Sequence, residues 1–141
     1  MVETVSESPK KPGIVIFVSI LNFFSAALWF LEAAFFVVLL IFGNAISVTQ
    51  AITDKLRQGL ASQNLSLGLN AVFSFFLIVG VLLGVYHLLL GIGLQKGKGA
   101  AWYVQIVTAI VGLILIPYGT IVSIVILVLF FQSGVRNYFK V

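Results

Sequence analysis

The sequence predicts an all-α integral membrane protein: a four-helix bundle with cytoplasmic N- and C-termini and an amphipathic helix in its first extracytoplasmic loop. Three observations lead there. First, the 141 residues are 61% hydrophobic and only 9% charged, with a mean hydropathy of +1.20. An ordinary soluble domain carries about 25% charged residues, and so little charge cannot cover a water-facing surface. Second, the apolar residues come in long runs. The 25 residues from Asn70 to Leu94 hold no obligatory charge at pH 7, enough to cross a core of ~30 Å at about 1.5 Å per residue. Third, the eight Lys and Arg residues stand in pairs between these runs, where basic residues act as topology signals.

The same composition excludes several function classes. With no cysteine there is no disulfide framework, thiolate metal site or catalytic thiol. One histidine and four acidic residues are too few ligands for a metal site within one chain. No Ser/His/Asp set, paired carboxylates or HExxH motif is present, so no catalytic residue is assigned. Gly91-Ile92-Gly93-Leu94-Gln95-Lys96-Gly97 ends a membrane helix and does not join a strand to a helix, so it is no nucleotide loop. The net charge of +4 comes from the flanking pairs, and a nucleic-acid partner is not expected.

Taken in order, residues 1–12 are a polar cytoplasmic tail. They do not read as a signal peptide, because the apolar run that follows is about twice too long for one. The transmembrane domain is expected over 13–134. Its first span, about 14–42, exceeds the need of a perpendicular helix and should tilt or protrude. Within it Ser19, Asn22, Ser25, Ala26, Trp29, Glu32 and Ala33 share an arc of about 140°, the stripe expected to face protein. In the following loop Val48, Ile52, Leu56 and Leu60 recur at i+4, predicting an amphipathic helix over about 46–61 at the membrane surface. Ser62-Gln63-Asn64 marks its end, and Asn64-Leu65-Ser66 fits the glycosylation pattern, which matters only in a secretory-pathway protein; random occurrence is the better expectation.

The second span, about 70–94, ends at the basic turn Gln95-Lys96-Gly97-Lys98-Gly99. A third, about 100–116, opens with Trp102 and Tyr103 as interfacial anchors. Pro117-Tyr118-Gly119 supplies the hairpin, since proline cannot continue a helix and glycine accepts a turn. The fourth span, about 118–133, leads to a cytoplasmic tail, 135–141, where Arg136 and Lys140 stand beside Tyr138 and Phe139. The N-tail, the 96–98 turn and the C-tail must share a side and together hold six of the eight basic residues. The positive-inside rule places that side in the cytoplasm.

Depth follows from the same rise. Asn22 lies roughly 12 Å from the cytoplasmic end, His87 about 11 Å, and Thr108 and Ser123 about 11–13 Å. Asn22 and His87 are therefore expected as neighbours in an interior polar layer. Such a layer serves either as interhelical packing bonds of about 0.6 kcal/mol each or as an ion, proton or pigment site. Gly80, Gly84 and Gly91 share an arc of roughly 60° with His87, a smooth face suited to close helix packing, and Gly80 and Gly84 have the GxxxG spacing. Glu32 stands at about 27 Å, near the outer interface. Its candidate partners by depth are Asn70, Ser74, Tyr118 and Thr120, whereas His87 lies ~15 Å too far below. An acid within a membrane span is a functional hypothesis by default.

Two stretches carry a resemblance. The opening Lys11-Pro12-Gly13 through Asn22, and the second half with GIGLQKGKGAAWYVQIV, IPYGTIVSIVILVLFF and VRNYF, resemble uncharacterised small bacterial four-transmembrane-helix proteins over about half the chain. That resemblance implies a multi-pass protein of the bacterial inner membrane and carries no activity. The claudin-type Trp and paired-Cys signature is absent, and the small multidrug exporters match only in having an acid in their first span.

The expected function is that of a non-enzymatic accessory or scaffolding subunit of a larger membrane complex, its partners being the lipid bilayer and other membrane subunits. Two alternatives stand beside it. One is a small homo-oligomeric transporter or channel that uses Glu32 and the Asn22/His87 layer. The other is a haem- or chlorophyll-type pigment-binding subunit with His87 as ligand; otherwise no cofactor is expected.

Overall fold

A computed structural model describes residues 11–42, 47–62, 68–114 and 117–141, and among them the chain is all-helical, with six helices and no strand. In order they are α1 (Gly13–Phe42), α2 (Ser47–Ser62), α3 (Leu69–Gln95), α4 (Gly99–Gly112), α5 (Tyr118–Phe130) and α6 (Ser133–Phe139). Most of the N-terminal tail and the Asn64-Leu65-Ser66 triplet lie outside the described residues. Two helices, α1 and α3, are long and apolar enough to cross a membrane, and the bent pair α5 and α6 would make a third if it is one span. At 30 and 27 residues the two long helices run about 45 and 40 Å. By contrast α4 and α5, at 14 and 13 residues, run only about 20 Å each, less than a core of ~30 Å.

The chain forms two compact units: Met1–Phe23 with Leu88–Val141, and Phe24–His87. In the second unit α1 and α3 pack antiparallel. Gly80 lets them approach: a Cβ there would stand 3.1 Å from the Trp29 carbonyl oxygen and 3.2 Å from the Ala33 methyl. Phe30 lies over Gly84, and Phe36 packs against Phe73 and stacks on Phe76 at 5.9 and 5.3 Å between ring centroids. Partner numbers rise along one helix as they fall along the other. In α2, Thr53 is buried and gives its hydroxyl to the Gln50 carbonyl, Ile52 is half-buried, and Leu56 is 42% exposed.

The first unit has a continuous apolar core built from Val15 and Val18 of α1, Leu90 and Leu94 of α3, Trp102 and Ile106 of α4, Phe130 of α5 and Phe139 of α6. The buried positions of α4, namely Ala101, Trp102, Gln105, Ile106 and Ala109, follow the helical repeat of a single inward face. The structure corrects the sequence expectation for Trp102. It is turned inward, and its Nε1–H donates to the Phe130 carbonyl at 3.0 Å. Only Tyr103 beside it is exposed. The Phe130 carbonyl belongs to the last turn of α5, where no intrahelical donor remains, so the indole caps α5 from across the hairpin.

Beyond Phe130 the chain turns by 76° into α6. Gln132 adopts an extended conformation, and its carbonyl receives the amides of Val135 and Arg136 at 3.0 Å. The seven-residue α6 buries Val135 and Phe139 and exposes Arg136. Where the sequence predicts only a tail, the structure has a helix, because Val135 and Phe139 turn into the core.

Candidate functional site

The polar interior of the first unit is built around Asn22. Its amide donates to the Val18 carbonyl and to Gln105 Oε1, both at 2.9 Å. Asn22 and Gln105 are 5% and 4% exposed. One turn earlier on α1, the buried Ser19 returns its hydroxyl to the Val15 carbonyl at 2.8 Å. Gln105 was absent from the sequence-derived layer. A signal for it existed, because Ala101, Gln105 and Ala109 recur at i+4 and so lie on one small-residue face.

The other residues singled out from the sequence are distributed as follows. Thr108 is half-buried and gives its hydroxyl to Val104 of its own helix at 2.8 Å. Ser123 is buried on α5 opposite Gly112, where a Cβ would meet the serine hydroxyl. Gly91 sits under Phe23, whose ring would stand 2.7 Å from an added Cβ. His87, half-buried, meets Tyr86 edge to face at 5.2 Å between centroids. It lies in the unit that does not contain Asn22, so an Asn22–His87 contact stays an expectation. Among the described residues every buried side-chain nitrogen or oxygen has a hydrogen-bond partner.

Glu32 is different. It is half-buried on α1 and lines an open hollow with Leu28, Leu31, Ala34, Phe35 and Val38. Among the described residues no hydrogen bond or ion pair reaches its carboxylate. Of the partners suggested by depth, Thr120 instead donates to the Leu113 carbonyl at 2.8 Å and so helps close the α4–α5 connection.

A second polar assembly lies where α3 meets α6. α3 is closed just past its end by Gly97, which takes φ +64°. The Lys98 amide then reaches the Gly93 carbonyl and the Gly97 amide that of Leu94, both at 3.1 Å, the Schellman arrangement. α6 ends the same way with Lys140 in the glycine position, at φ 56°. Here the Val141 amide bonds the Arg136 carbonyl and the Lys140 amide that of Asn137, at 3.1 and 3.2 Å. The two helix ends touch. Tyr138 Oη donates to the Gln95 carbonyl at 2.7 Å, and a Cβ at Gly97 would stand 3.2 Å from the Tyr138 ring. Burial holds the Tyr138 phenol above its ordinary value, so it remains a donor throughout the physiological range.

Among the described residues no group of three or more His, Cys, Asp or Glu side chains is placed to hold a metal ion. The chain matches no protein-family model, no curated protein and no solved structure.

Proposed function

We propose that the protein is a non-enzymatic, multi-pass subunit that scaffolds or supports a larger assembly in a bacterial inner membrane. The observation that carries this reading is the pairing of Asn22 with Gln105. In the first unit the deepest polar side chains are spent on bonds between or within helices, while the outward faces are apolar: Phe17, Ile20, Val107, Ile121 and Val128 are each more than half exposed. Bonds of that kind specify helix register, and the apolar exterior suits lipid or the helices of a partner.

The α4–α5 hairpin completes a four-helix arrangement with both termini in the cytoplasm. Its helices of about 20 Å either thin the bilayer or leave their tip within it. Either way the basic turn and the C-tail stay on one side, so the count of basic residues gives the same orientation. Gentle solubilisation from the native membrane followed by native mass spectrometry tests the subunit role. Stoichiometric co-migration with a larger complex is the expected result, and a lone monomer or small homo-oligomer would sink it.

Glu32 supports a second reading, an oligomeric transporter or channel. Glu32 has no hydrogen-bonding partner among the described residues and is one of the residues lining an open hollow, a position from which an oligomer could use it. In liposomes, Glu32→Gln should then abolish a proton-coupled flux carried by the wild-type protein. Under the subunit reading neither protein carries one.

A further inference from the structure

We infer that the α3–α6 junction is a binding site for the headgroup of an anionic phospholipid in the leaflet it faces. The described residues of the first unit carry Lys11, Lys96, Lys98, Arg136 and Lys140 and no acidic side chain. Four of these cations, Lys96, Lys98, Arg136 and Lys140, are exposed. Contacts that do not involve the cations bring them together. The Tyr138 hydroxyl ties α6 to the Gln95 carbonyl. A Cβ on Gly97 would stand 3.4 Å from the Tyr138 carbonyl oxygen, and one on Gly99 3.3 Å from that of Phe139. Each of the four cations is within two residues of such a contact, hence within about 8 Å of it along the chain. Val15 of α1 shares the core with Leu94, Val135 and Phe139, which brings Lys11, one turn before it, to the same end.

Lys140 adds an independent observation. It occupies the left-handed position that closes α6, where glycine is the unstrained residue and an L side chain is strained. The backbone accepts that strain and fixes the direction in which the lysine leaves the helix end. Cations gathered at the edge of an apolar core, with no acidic side chain among the described residues of their unit, fit a phosphate that is held at the bilayer surface by its acyl chains. Each basic residue near such a surface strengthens binding about fivefold. This inference stands apart from the subunit reading, since a lone protein would bind the lipid equally well.

The test uses the purified full chain in neutral detergent, titrated with phosphatidylglycerol or with phosphatidylcholine of the same acyl chains and read by native mass spectrometry. Phosphatidylglycerol should be retained at least about tenfold better, and its binding should weaken as salt rises. Lys140→Gly removes one charge while relieving the backbone. It should lose about fivefold in phosphatidylglycerol binding with no fall in melting temperature. The combined K96Q/K98Q/R136Q/K140Q variant should lose the preference altogether. Equal retention of the two lipids, or an unchanged preference in Lys140→Gly, would overturn the assignment. So would displacement of the lipid by millimolar inorganic phosphate, which would mark a simple anion site.

Discussion

Trp102→Ala should be the most damaging single truncation in the first unit, costing about 3–5 kcal/mol. The indole is 6% exposed, lies edge-on to Phe131 at 5.5 Å, and caps the Phe130 carbonyl. Its removal opens a cavity beside Phe130 and also frees a carbonyl at the point where α5 turns into α6. Thermal unfolding in detergent checks this, with a drop in midpoint of roughly 10 °C or more expected at ~3 °C per kcal/mol. Trp102→Phe separates the two contributions: it keeps a six-membered ring in the core and loses the donor, so about 1–3 kcal/mol is expected. A Trp102→Ala protein that melts like wild type would show that the side chain belongs at the lipid interface after all.

Asn22→Leu should be next in effect. It removes the bonds from the Asn22 amide to Val18 and Gln105 and leaves the buried Gln105 oxygen without that donor, at about 1–3 kcal/mol. Gln105→Leu should cost less, because Asn22 keeps its bond to Val18. The double variant Asn22→Leu/Gln105→Leu should cost less than the two single changes together, since it strands neither partner. A coupling of about 0.5–2 kcal/mol in this cycle is the expected signature of a direct pair. Strict additivity would separate Asn22 from Gln105 and remove the main support for a purely structural polar interior.

The gross architecture was legible from composition and run length. With 9% charge and runs of more than 20 apolar residues, the backbone has to satisfy its own hydrogen bonds, and a helix does so within one segment. Among the described residues the regular structure is accordingly all helical, and α1 and α3 are long enough to cross a membrane. The polar centre was less legible. Counting 1.5 Å per residue ranks Cα atoms by depth but gives neither the direction of a side chain around its helix nor its reach. Thr108 therefore stood in the predicted layer while Gln105, one turn earlier with a longer side chain, did not. Trp102 departs from expectation for a related reason: an indole near a helix start serves an interface or a core equally well, and here the open end of α5 supplies the acceptor.

By itself, the sequence determined that this is a helical chain suited to a membrane, and where its charges fall between the apolar runs. Both are local properties, set by hydropathy and spacing along the chain. Only the tertiary structure decided that Asn22 pairs with Gln105, that Trp102 caps α5, and that a 76° turn lays α6 against the end of α3. Those depend on rotation about each helix axis and on where a backbone bends, which are fixed when helices meet.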